Sequence, residues 1–143
     1  MTAIRRATEA DAPALVELVR QLGRQVTEAE VLATLREGDS HPVLVAEEAG
    51  QVLGVVAVHA TRMLHRLRPD ARITTLVVAE GARGRGLGRQ LVDAAALLAE
   101  RSGCNRLELT TGRDRREAQA FYRALGFTDS SIRFHRMLGP DQP

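Results

Sequence analysis

The chain of 143 residues has no lysine and no tryptophan, and only one cysteine and one tyrosine. The lone Cys104 excludes an intramolecular disulfide; with no histidine beside it in sequence, it reads as a buried structural thiol rather than a nucleophile. Aromatic residues make up 3% of the chain, so the core must come from Leu, Val and Ala. All 20 basic residues are arginine and 18 carboxylates oppose them. The resulting net charge of +2 argues against a nucleic-acid binder that works by bulk charge, and the missing aromatics remove its stacking platforms. No apolar run approaches the ~20 residues of a membrane span, and the opening Met1-Thr2-Ala3-Ile4-Arg5-Arg6 has no signal-peptide core. These absences lead us to expect a cytoplasmic protein without a membrane or nucleic-acid partner. No repeat or linker interrupts the chain, so we expect one domain over residues 1–143, with a frayed tail at about 139–143.

The most informative stretch is residues 72–101. Residues 73–78 are rich in β-branched side chains and carry no charge, as suits a central strand. Arg83-Gly84-Arg85-Gly86-Leu87-Gly88-Arg89 follows, then an amphipathic run with Leu91, Ala95 and Leu98 at helical spacing. Alternating glycines where a helix begins let backbone N–H groups approach a ligand closely. The helix start itself offers unpaired donors and partial positive charge. Together these predict a phosphate or pyrophosphate site. A Walker loop requires a lysine that the chain does not have. In a dinucleotide fingerprint the third glycine would fall one position later than Gly88.

Residues 3–7 suit a short first strand. Thr8 with Asp11 forms a short capping box opening a helix whose Ala14, Leu15, Leu18, Val19 and Leu22 share one face. Thr27 opens a second helix with Glu28 and Glu30 in its first turn. Residues 43–47 and 51–59 flank Glu48-Ala49-Gly50 as a β-hairpin, with Gly54 a bulge or close-packing point. Residues 62–70 read as irregular, 106–111 as a strand, and 117–125 as a helix stopped by Gly126. One or two last strands are expected in 127–138. The predicted order is β-α-α-β-β-β-α-β-α-β, an α/β (α+β) fold with a mixed sheet and helices on both faces.

Arg83-Gly84-Arg85-Gly86-Leu87-Gly88 matches R/Q-x-x-G-x-G/A, and the chain later carries Ala118, Phe121, Tyr122, Leu125, Gly126 and Phe127 in the pattern A-x-x-F-Y-x-x-L-G-F. In this order of elements the chain resembles the GNAT superfamily of N-acetyltransferases. The resemblance implies a mostly antiparallel sheet with splayed central strands, and acetyl-CoA as cosubstrate without a metal. It further implies transfer to a primary amine of a small molecule or peptide, and a possible homodimer. Backbone groups of Leu76, Val77 and Val78 would meet the pantetheine arm. Those of the loop Arg83, Gly84, Arg85, Gly86, Leu87, Gly88 and Arg89 would meet the pyrophosphate. Tyr122 matches the family's general acid. In many members an acidic residue stands on the central strand, but Arg72, Thr74 and Thr75 occupy that stretch here, so His59, His65 and Glu108 become the base candidates by strand order. Arg115 stands where many relatives carry a cofactor-contacting Asn. A non-catalytic acyl-CoA sensor on the same fold is the alternative.

Overall fold

Two capping boxes set where the first helices begin. The Asp11 carboxylate accepts from the Thr8 amide at 2.7 Å, and a single 3-10 turn leads into α1 (Ala12–Gln21). Thr27 and Glu30 exchange side-chain-to-backbone bonds, both 3.1 Å, to open α2 (Glu28–Arg36). Arg5, on strand β1 (Ala3–Arg6), donates to both Asp11 oxygens at 2.8 and 2.9 Å, tying the first strand to the start of α1.

The computed structural model describes residues 1–140, and the chain divides into two compact units, Met1–Leu109 and Thr110–Pro143. In the first unit β1 is joined by β2 (Val43–Glu48), β3 (Gln51–Thr61), β4 (Asp70–Val78) and β5 (Leu107–Glu108), side by side in chain order. All neighbours are antiparallel except β4 and β5, which run parallel. Alternation along the strands sends Val43, Val45, Val55, Ala57 and Val77 to one face, where Leu15, Leu18 and Val31 of α1 and α2 cover them. Helix α3 (Leu87–Arg101) covers the opposite face with fully buried Leu91. It approaches closely because residue 54 is glycine: a Cβ there would stand 2.9 Å from Leu91 Cδ1 and 3.2 Å from the Val77 carbonyl oxygen. The mixed, mostly antiparallel sheet with helices on both faces is as expected. Among the described residues no helix is long and apolar enough to cross a membrane.

Two strand expectations are corrected. The strand expected over 106–111 is only Leu107–Glu108, because β4 bulges away just past the point where the two strands meet. In the second unit α4 (Arg116–Ala124) ends as expected at Gly126, which has φ +94°. No strand forms within 127–138; Ile132, Phe134 and Leu138 are exposed. A strand needs a hydrogen-bonding neighbour, and without a ladder the backbone of this stretch stays irregular. The tail expectation at 139–143 lies partly outside the described residues.

Candidate active site

Strand β4 is paired on one side for its whole length and on the other for two residues. Its contacts with β5 are Ala71 opposite Leu107 and Arg72 opposite Glu108. Immediately beyond, the register with β3 slips: Val58 faces Ile73 and Ala57 faces Thr75, leaving Thr74 as the extra residue of a bulge. From Ile73 to Val78 no strand pairs with the second edge among the described residues. The Ala79 amide donates to the Leu53 carbonyl at 2.8 Å across to β3. By strand alternation the Val77 amide also faces β3, so the amides of Leu76 and Val78 face the open edge. Of the three strand residues expected at the cofactor, Leu76 and Val78 thus present amides on the open edge and Val77 does not.

The open edge runs into the glycine loop. Gly86 is the N-cap of α3 at φ +80°, a left-handed conformation that glycine adopts without steric cost, and Gly84 has φ +79°. The first helical bond is Gln90 N–H to Gly86 O at 3.1 Å, so the amides of Leu87, Gly88 and Arg89 have no intrahelical acceptor. A Cβ at Gly84 or Gly86 would meet nothing within 4 Å, so the space over the loop is open. The Leu87 side chain, 2% exposed, anchors the loop in the core. The arginines are tethered: Arg83 Nε donates to the Val78 carbonyl at 3.2 Å, Arg85 is ion-paired with Glu48, and Arg89 lies 4.0 Å from Asp93. The Arg85 guanidinium holds the Glu48 carboxyl below its usual range. Donor amides at a helix N-terminus, with guanidinium groups beside them, fit a pyrophosphate.

The base candidates are dispersed. His65 lies exposed in the irregular segment 62–69 and makes no hydrogen bond or ion pair among the described residues. Glu108, half-buried, is paired with Arg106 at 3.7 Å. His59, exposed on β3 opposite Arg72, stacks edge-on against His41 with ring centroids 5.3 Å apart. His41 lies 33 residues from its hydrogen-bond partner Thr74, so sequence reasoning does not find it.

Asp70 is a second residue that sequence spacing does not single out. It is 1% exposed at the start of β4; its Oδ2 accepts from Arg106 Nε at 3.1 Å and lies 3.6 Å from Arg66 Nη1. It ties β4 to the segment entering β5. Burial, with the Asp70 charge nearby, pushes the Cys104 thiol up, which disfavours a nucleophilic thiolate.

In the second unit, Tyr122 is half-buried on α4 with its ring edge-on to Phe121 and Phe127 at 5.2 and 5.8 Å. Burial raises its phenol, partly offset by the Arg115 charge. Arg115 is the exposed N-cap of α4. Gln119 fastens the preceding turn by donating to the carbonyls of Gly112 and Arg113 at 2.8 and 2.9 Å.

A sheet that opens along one central strand into a glycine-gated helix start is the architecture of a protein that receives an extended ligand with a phosphate at one end. Comparison with known proteins makes this specific. Residues 6–127 match the model of the acetyltransferase (GNAT) family. The aminoalkylphosphonate N-acetyltransferase of Salmonella typhimurium is 29% identical over 140 residues, 94% of this chain and 90% of that protein. A solved Agrobacterium tumefaciens protein, provisionally named an acetyltransferase, superposes with a TM-score of 0.86 at 31% identity, over 94% of this chain and 99% of that one. The fold is shared with AAC(6')-Iy, solved with the bisubstrate analogue CoA-S-monomethyl-acetylneamine, at TM-score 0.83 and 21% identity over 96% and 98% of the two chains. The chain belongs to the GNAT family and is an acetyl-CoA-dependent acyltransferase.

Proposed function

We propose that the protein transfers an acetyl group from acetyl-CoA to the primary amine of a small molecule or peptide, by direct attack while both substrates are bound. The observation that carries this is the open edge of β4 leading into the N-terminus of α3. Amides of Leu76 and Val78 meet the pantetheine arm as an added strand would. Amides of Leu87, Gly88 and Arg89 hold the pyrophosphate, with Arg83 and Arg85 adding positive charge. The thioester carbonyl gains charge as the amine attacks, and a strand amide aimed at its oxygen stabilises that charge. The C–N bond forms, the C–S bond breaks, and the phenol of Tyr122 supplies the proton to the departing thiolate. Arg115 takes the place of the family's cofactor-contacting Asn.

The Salmonella relative points to aminoalkylphosphonates as the first acceptors to try. Calorimetric titration of acetyl-CoA, followed by thiol release with aminoethylphosphonate and an amine panel, tests the reading. Binding at micromolar concentration and thiol release dependent on an amine are expected. Intact, folded protein that does not bind acetyl-CoA would overturn it.

A further inference from the structure

Strand order offers His59, His65 and Glu108 as acceptors of the amine proton, and only contacts between distant segments separate them. The bulge at Thr74 marks the point where β4 leaves β5 and its second edge opens. Over that point lie His41, from the segment entering β2, and His59, near the end of β3. The Thr74 hydroxyl donates to the Ala57 carbonyl at 3.3 Å, so its oxygen can only accept from His41 Nε2, 3.1 Å away. His41 Nδ1 lies 3.7 Å from Glu37 Oε2, beyond hydrogen-bond distance, and the two form an ion pair only when the ring carries both protons. His41 Nε2 is thus held on Thr74. His59 is exposed, and its ring nitrogens make no hydrogen bond among the described residues.

Resting on the acetyltransferase reading, we propose that His59 is the catalytic base and His41 its positioning residue. His41, held on Thr74, keeps the His59 ring edge-on beside the opening of β4. A neutral His59 nitrogen takes one proton from the acceptor ammonium, freeing the lone pair that forms the C–N bond. As the C–S bond breaks, the thiolate takes the Tyr122 proton and the nitrogen loses its second proton to solvent, through which Tyr122 is reprotonated. The products are amide, thiol and one proton passed from His59 to water. The charged and titratable groups facing His59 are His41 with Glu37 behind it, Arg72 directly across on β4, and Glu108 beyond Arg72. His59 would take the place of a carboxylate in the stretch that Arg72, Thr74 and Thr75 occupy.

The test uses His59→Gln, His59→Ala, His41→Gln and Thr74→Val. Two readouts are kept apart: acetyl-CoA affinity by calorimetry, and thiol release across about pH 5.5 to 9, with aminoethylphosphonate and with water alone as nucleophile. Wild-type release should fall on the acid side, as a neutral imidazole requires. His59→Gln should lower kcat roughly 100-fold with acetyl-CoA affinity unchanged, and flatten the acid limb. Added imidazole should restore part of the rate of His59→Ala, a rescue that a structural role would not permit. His41→Gln and Thr74→Val should lower kcat less and displace the acid limb without abolishing it. A His59→Gln protein with wild-type kcat and acid limb would overturn the assignment. Wild-type protein that binds acetyl-CoA but never releases thiol above the uncatalysed rate would overturn it together with the transferase reading. Failure to bind at all is seen separately in the calorimeter and removes both.

Discussion

Replacing Gly86 by alanine should weaken acetyl-CoA binding while leaving the fold intact. Gly86 sits at φ +80° as the N-cap of α3, and an added Cβ would meet nothing within 4 Å. The penalty is therefore conformational rather than steric against a neighbour: an L-residue in the left-handed region costs about 1–2 kcal/mol. That cost has two outlets. If the loop keeps its geometry, global stability falls by ~1–2 kcal/mol and affinity is retained. If the loop relaxes, stability is retained and binding must re-impose the geometry, raising Kd by about 5–30-fold. No packing around the new methyl holds the loop in place, so most of the cost should appear in Kd. Gly86→Asn is the discriminating control, since asparagine tolerates this conformation better; it should bind within about threefold of wild type. Calorimetry with acetyl-CoA and urea unfolding on the same samples measure both outlets. Gly86→Ala with both affinity and stability unchanged would refute the reasoning. So would an asparagine variant as impaired as the alanine one.

The remaining expectations concern proton donors, packing and pH. Tyr122 is the only tyrosine and tryptophan is absent, so the phenolate ultraviolet band reports one group. Its midpoint should lie above ~10, because burial raises it; the stability it contributes is present below that pH and lost as pH rises through the folded-state midpoint. Tyr122→Phe should cut kcat about 10- to 100-fold with acetyl-CoA affinity unchanged, and a variant with wild-type kcat would rule out the acid role. Gly54→Ala should destabilise by ~1–3 kcal/mol through overpacking against Leu91 and the Val77 carbonyl. Combining it with Leu91→Ala should cost at least ~0.5 kcal/mol less than the sum of the single variants, read from urea midpoints. The Arg5 guanidinium, with burial opposing, holds the Asp11 carboxyl below its usual range. Asp11→Asn should therefore cost roughly 1–3 kcal/mol at neutral pH. The deficit should shrink as pH falls from ~4, where the unfolded-state carboxyl takes up a proton, through the lowered folded-state midpoint.

Local chemistry is legible in the amino-acid sequence by itself. Capping at Thr8 and Thr27, the hairpin around Ala49-Gly50, the glycine loop and the stop at Gly126 depend on residues a few positions apart. Each is decided by which backbone conformations and hydrogen bonds those side chains allow. The two family motifs are of the same kind, and so the fold class and the transferase chemistry can be read from them. Three matters are decided only by the tertiary structure. Strand 106–111 shrinks to Leu107–Glu108 because pairing depends on where a neighbouring strand bulges. No strand forms within residues 127–138, because a short run such as Ile132-Arg133-Phe134-His135 cannot by itself provide a ladder partner. The meeting of Glu37, His41, His59 and Thr74 cannot be foreseen, because nothing in sequence spacing records which residues a bulge brings together. Periodicity and caps are properties of one segment, whereas register, strand opening and the surroundings of a proton acceptor arise only when segments distant in the chain are packed against one another.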